Sequence, residues 1–199
     1  MVRTGGRVRS ADARDDVLAA TLQLLEEAGY GGITIEKVAA RSGVAKSTIY
    51  RWWDSRPGLV MEAYQHAVSQ RMPEPDTGDA ATDLTVFLTA LYRVSEHPLR
   101  VRVLRGLMAE AQLNPAFEPA FRGFVQHRQT VVEDILRRAA GRGDLPAGIN
   151  IAHAVDLVFG PFWYRLLVGH RPLDPADAPH HVADLLDGLK GNHGPPPQP

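Results

Sequence analysis

Residues Thr34–Arg56 read TIEKVAARSGVAKSTIYRWWDSR, two short helical patterns on either side of a glycine. Ala39, Gly43, Ile49 and Trp52 stand in order at offsets of four, six and three. A small Ala39 lets two helices cross closely, and Gly43 supplies the left-handed backbone of a tight turn. Ile35, Val38, Val44 and Ile49 are the apolar positions that hold the second helix against the first. Lys46, Ser47, Thr48, Tyr50 and Arg51 then remain as outward donors. This is the pattern of a helix-turn-helix, which lays its second helix in the DNA major groove. Taken singly the pieces are ordinary: Lys46 and Arg51 read as a solvated face, Trp52 and Trp53 as core. Their joint order and register carry the reading. Gly43-Val-Ala-Lys46-Ser47-Thr48 hints at a phosphate-binding loop, but Ala45 and Ala40 stand where that loop requires glycine.

The rest of the chain sets the bounds. At 199 residues it can hold one or two modest domains, and 44% hydrophobic with 23% charged residues is ordinary for a soluble fold. It has no cysteine, which excludes disulfides, thiolate nucleophiles and cysteine-ligated zinc. No apolar run is expected to reach the roughly 18 residues of a membrane span, and Arg3, Arg7 and Arg9 have no apolar stretch behind them to make a signal peptide. A soluble, cytoplasmic protein is the expectation. Formal net charge is −1, split as +2 over residues 1–60 and −3 over the remainder. Any DNA affinity must therefore come from local placement of cations rather than bulk charge.

Outward from the motif the periodicity stays helical. Val17, Leu18, Leu22 and Leu25 mark a helix from about Ala11 to Ala28, after an Arg/Gly-rich stretch at 1–10 that reads as a mobile arm. Residues 11–57 form the helix-turn-helix domain. Residues 58–78 form a connecting helix opened by Pro57 and a linker, Pro73-Glu-Pro75-Asp-Thr-Gly78. Residues 79–190 form a second helical domain. Leu84–Leu91 and Val103–Ala111 mark its first two helices. Asn114 as N-cap and Pro115 at the first position open a long third. Ile151–Val168 is apolar almost all round, and Val182–Leu189 marks the last helix. Residues 191–199 read as a disordered tail. The class is all-α, with about nine helices and no strand alternation.

The Thr34–Arg56 segment resembles the DNA-binding domain of the tetracycline-repressor (TetR) family of bacterial regulators. Thr34-Ile35, Val38-Ala39, Ser42-Gly43-Val44, the run Lys46–Trp53 and Ser55-Arg56 carry the resemblance. Trp53 stands where such families usually have Phe, and Arg56 where Lys is common. The second domain resembles one TetR regulatory subgroup through Leu136-Arg-Arg-Ala139, Arg142-Gly143-Asp144-Leu145, Gly160-Pro161, Tyr164-Arg165-Leu166-Leu167 and Pro172-Leu173. The resemblance implies a sequence-specific repressor of double-stranded operator DNA. It also implies a homodimer, paired through the last two long helices, and a small-molecule effector. Thr34, Tyr50, Arg51 and Arg56 are the expected phosphate contacts. Lys46 and Ser47 are the base-edge candidates, and Thr48 fits either. Phe87, Leu91, Met108, Phe121, Phe124, Phe162 and Trp163 are candidates for the effector pocket. Few charges interrupt those faces, so an apolar or aromatic ligand is expected, with no cofactor and no metal. An enzyme is the rival class, prompted by His153, His180 and His181. No HExxH or Gly-x-Ser-x-Gly pattern supports it, and adjacent histidines on a helix face different ways. A metal-responsive regulator is the lesser alternative.

Overall fold

The computed structural model describes the backbone of residues 5–69, 72–146 and 148–191. Among these residues there are nine α-helices, three short 3-10 turns and no strand. The helices are α1 (Gly5–Ala28), α2 (Ile35–Ser42), α3 (Lys46–Trp52), α4 (Arg56–Ser69), α5 (Ala80–Tyr92), α6 (Pro98–Leu113), α7 (Glu118–Arg142), α8 (Ile151–Val168) and α9 (Ala178–Gly191).

Two boundaries differ from the sequence expectation. Helix α1 begins at Gly5, so six of the ten residues read as an arm are helical. Extending a formed helix adds one hydrogen bond per residue fixed, without a new nucleation cost. Residues 1–4 and the tail at 192–199 lie outside the described residues. Asn114 and Pro115 do not open α7. The Asn114 carbonyl accepts from Phe117 and Glu118, and its side chain accepts from Ala116, so a separate turn precedes the helix.

The chain folds as two compact units, and their division also departs from the expected domain limits. The first takes in the N-terminal helices together with Pro98–Phe124; the second takes in Met72–His97 and the chain from Val125 onward. Helix α6 joins the first unit because Gly106 packs against Tyr30. A Cβ at residue 106 would stand 3.0 Å from the Tyr30 Cβ, so only glycine allows so close an approach without displacement. In that unit Val17, Ile33, Val38, Ile49, Leu59 and Val60 are wholly buried. Each such side chain is worth roughly 1.5–3 kcal/mol of transfer free energy.

The second unit is built on α5, α8 and α9. Phe87 of α5 meets Phe159 of α8 edge-on at 5.9 Å. The stretch read as a linker is non-helical but tied down. Buried Asp83 accepts from the Thr77 backbone at 2.9 Å and hydroxyl at 2.7 Å, while Arg138 donates to the Pro75 carbonyl at 2.8 Å. Asp79 caps α5 by accepting from Thr82 at 2.7 Å. Helix α8, with eighteen residues, is long and apolar enough by length and composition to cross a membrane, contrary to the expectation that no run reaches that length. Its apolar character has a packing explanation: Ala154, Val155, Val158, Phe159, Phe162 and Leu166 are buried within this unit.

His181 of α9 stacks on Tyr92 of α5, and the Tyr92 hydroxyl lies 2.8 Å from its Nδ1. Burial pushes the His181 pKa below the ordinary value, against a hydrogen bond to the Leu157 backbone that favours the charged form. The unfolded chain then takes up a proton near pH 6.5 that the folded chain resists until lower pH, so stability falls as pH drops through that value. Thermal melts at pH 7.5 and 5.5 are expected to show a larger loss of midpoint for the unmodified chain than for His181→Gln. Equal losses would assign the pH dependence to other groups.

Candidate nucleic-acid interface

Local chemistry builds the motif in three steps. Thr34 caps α2, its hydroxyl accepting from the Lys37 amide at 3.3 Å, a cap worth about 1 kcal/mol. Gly43 ends α2 in the left-handed region at φ 71°, its amide donating to the Ala39 carbonyl at 3.0 Å. Ala45 then starts α3 from extended backbone, without a side-chain cap. Of the seven residues in α3 only Ile49 is buried. It faces the core, so Ser47, Tyr50 and Arg51 are left on exposed faces. Thr48 is half-buried, and Tyr50 retains 52% of its surface.

The C-terminal end of α3 is clamped. Buried Trp53 donates its indole N–H to Glu62 at 2.7 Å; Arg14 meets the same carboxylate at 2.8 and 3.0 Å and lies over the Trp53 ring at 5.0 Å. Trp in place of the usual Phe therefore adds a hydrogen-bond donor to the aromatic plug.

Most cations of the motif already hold an internal partner. Lys37 donates to the Gly32 carbonyl at 2.7 Å, and Arg41 pairs with Glu27 at 2.6 Å. The Glu27 carboxyl sits below its ordinary pKa, first through the Arg41 hydrogen bond. Arg56 is half-buried, donates to the Ile33 carbonyl at 3.2 Å and stacks over Tyr30 at 4.8 Å. Arg51 lies over Trp52 at 5.9 Å. Lys46 meets Glu36 at 3.2 Å. Sequence reasoning misses Glu36; its place at the second position of α2, across the turn from Lys46, is the available signal.

The seven effector-pocket candidates fall in both units. Met108, Phe121 and Phe124 belong to the first, where Phe124 meets Tyr64 at 5.8 Å and Phe121 at 6.2 Å. Phe87, Leu91, Phe162 and Trp163 belong to the second, where Phe162 and Trp163 are in edge contact at 5.2 Å. Phe87, Phe121, Phe124 and Phe162 are buried; Leu91, Met108 and Trp163 are half-buried. Two charges are buried beside these apolar faces, Asp83 on α5 and Arg128 on α7, which an apolar reading of the same helices passes over. The histidines that suggest an enzyme point apart: His181 engages Tyr92, while His180 lies exposed 3.5 Å from Asp184.

The family model for bacterial regulatory proteins of the tetR family matches residues 17–63, and the tetracyclin repressor-like C-terminal domain matches residues 74–185. The chain belongs to the TetR family. This TetR-family regulator is 31% identical to the uncharacterized HTH-type transcriptional regulator YdeS of Bacillus subtilis, over 94% of this chain and 92% of that one. It is 30% identical to the HTH-type transcriptional regulator AqdR of Rhodococcus erythropolis, over 90% and 86%. Among solved structures, the TetR family transcription regulator SCO0332 superposes with a TM-score of 0.78 at 34% identity, covering 89% of this chain and 98% of that one. FadR from Bacillus subtilis, solved in complex with stearoyl-CoA, gives 0.70 at 17% identity, covering 89% and 98%; that likeness is one of fold. The regulator's activity is thus DNA-binding control of transcription through the helix-turn-helix.

If the exposed Tyr50 hydroxyl meets phosphate, as the sequence implies, Tyr50→Phe is expected to weaken binding to all DNA sequences several-fold and alike. Binding-site selection compared with the unmodified chain checks this. A change of preferred sequence would make Tyr50 a base reader instead.

Proposed function

We propose that the protein is a cytoplasmic repressor that binds a pseudo-palindromic operator as a homodimer and leaves it when a small apolar or aromatic molecule binds. The observation that carries the DNA half is the face of α3. Ser47, Tyr50 and Arg51 are exposed there, and Lys46 stands at its first turn, on a helix fixed by buried Ile49. The Thr34 hydroxyl oxygen accepts from the Lys37 amide and its proton bonds to Glu36; on DNA that hydroxyl turns to donate to phosphate. Ser47 and Lys46 face base edges, Thr48 a base or phosphate, and Tyr50, Arg51 and the remaining N–H groups of Arg56 the backbone.

The dimer reading rests on α8. Opposite its buried face, Leu157, Tyr164, Leu167 and Val168 keep 41%, 60%, 44% and 60% of their surface, at spacings that place them along one side. Gly160 is exposed on the same side, where a Cβ at residue 160 would meet nothing within 4 Å, and so leaves room for a second helix. A second copy of the chain is the occupant proposed, with the exposed side of α9 beside it. A specific dimer needs about 1,200 Å² or more of buried surface. Two recognition helices would then stand roughly 34–36 Å apart, one turn of DNA. Leu186 is a poor probe because it is itself buried, with only 7% of its surface exposed. Tyr164→Glu is the better one: sedimentation at micromolar concentration is expected to give a folded monomer, where the unmodified chain gives a dimer. A monomer for the unmodified chain would sink the dimer.

Aromatic side chains in both units, Phe121 and Phe124 in one and Phe87, Phe162 and Trp163 in the other, suit an apolar effector. The stearoyl-CoA bound by FadR, which is similar in fold, is in keeping with that class. An effector releases DNA only by binding the DNA-incompetent state more tightly, at about 1.4 kcal/mol per tenfold loss of affinity. By reciprocity, operator must weaken effector binding by the same factor. Titrating a compound found by thermal-shift screening into free protein and into the operator complex checks this. Equal affinities would mean that the compound is not an inducer.

A further inference from the structure

Glu36 and Lys46 face each other across the turn of the helix-turn-helix. The ammonium lies 3.2 Å from Oε1, and the two side chains keep 64% and 54% of their surface. A pair so exposed adds little to stability, so the fold does not require it. Its consequence is spatial. It places a donor and an acceptor one hydrogen-bond length apart, on the side of the motif that carries Ser47 and Tyr50. The acceptor is firmly ionised: the Glu36 backbone N–H first, and Lys46 next, hold its carboxyl below the ordinary range. A carboxylate in this place also opposes phosphate, so it does not serve indiscriminate attachment to DNA.

We propose that Glu36 is a specificity-determining residue that, together with Lys46, reads one G·C pair per half-site in the major groove. The Lys46 ammonium donates to guanine O6 and N7, and the Glu36 carboxylate accepts from the cytosine N4 amino group. The edge of a G·C pair presents two adjacent acceptors followed by a donor, the complement of this side-chain pair. An A·T pair places its donor between two single acceptors and adds a methyl group beside one of them, so the ammonium loses one of its two neighbours. In free protein each side chain satisfies the other, so neither pays for a lone approach to the base.

The inference rests on the proposal that α3 reads DNA, and the test separates the two. Binding-site selection is run on the full chain unmodified and as Glu36→Gln, Lys46→Met and the double variant, with circular dichroism melts as a check of folding. Affinities are then measured for the selected operator, for single-pair variants of it and for unrelated DNA at two salt concentrations. Both single variants are expected to relax the same G·C position by about tenfold or more, and the double variant no further than the worse single. Glu36→Gln is also expected to bind unrelated DNA more tightly. Unchanged base preference in Glu36→Gln overturns the inference, as does relaxation at a position different from that of Lys46→Met. A uniform gain for all sequences overturns it too, leaving Glu36 as a repulsive charge alone. An unmodified chain with no sequence preference would instead overturn the DNA reading itself.

Discussion

A helix of seven residues does not persist in water by itself, because forming its first turn fixes several residues for a single hydrogen bond. Helix α3 exists because it is held at both ends and along one side. Gly43 turns the chain into it, Ile49 anchors its middle in the core, and Trp53 closes its far end through Glu62 and Arg14. Once that anchoring is given, the direction of every other α3 side chain follows from helical geometry. The DNA-facing surface is thus a by-product of how the core fixes one isoleucine and one tryptophan.

The same anchoring explains how a chain of net charge −1 serves as a DNA binder. Cations of the motif are partnered rather than free: Arg41 with Glu27, Lys37 with a carbonyl, Arg56 with a carbonyl and a ring. These contacts order long side chains before DNA arrives, which lowers the entropy lost on binding. The two pairs with carboxylates, Arg41–Glu27 and Lys46–Glu36, also hold down indiscriminate attraction to phosphate, since a neutralised cation contributes less to the long-range field. Affinity is then left to geometry.

In the second unit, polar contacts play the corresponding part for the chain entering α5. Asp83 is a carboxylate with 1% exposure that takes both hydrogen bonds from Thr77. Burying such a charge is costly unless it is hydrogen-bonded. The segment before α5 therefore has a defined path instead of the freedom its prolines and glycine suggest.

The sequence by itself determined the helical class, the position of the turn at Gly43, the exposed donors of α3 and the apolar character of α8. Each of these follows from periodicity or from a single residue's backbone preference, which act locally. The family resemblance followed from the Thr34–Arg56 run and from short motifs between Leu136 and Leu173, and is borne out over most of the chain. Tertiary structure decided what depends on residues far apart in the chain. Gly106 gains its meaning only from Tyr30 lying against it, far earlier in the sequence, and so α6 sides with the N-terminal helices. The pairing of Glu36 with Lys46 across the turn, of Asp83 with Thr77, and of His181 with Tyr92 likewise has no period to announce it. A hydrogen bond between distant side chains is set by the packing of the helices that carry them, and packing is what a linear pattern leaves open.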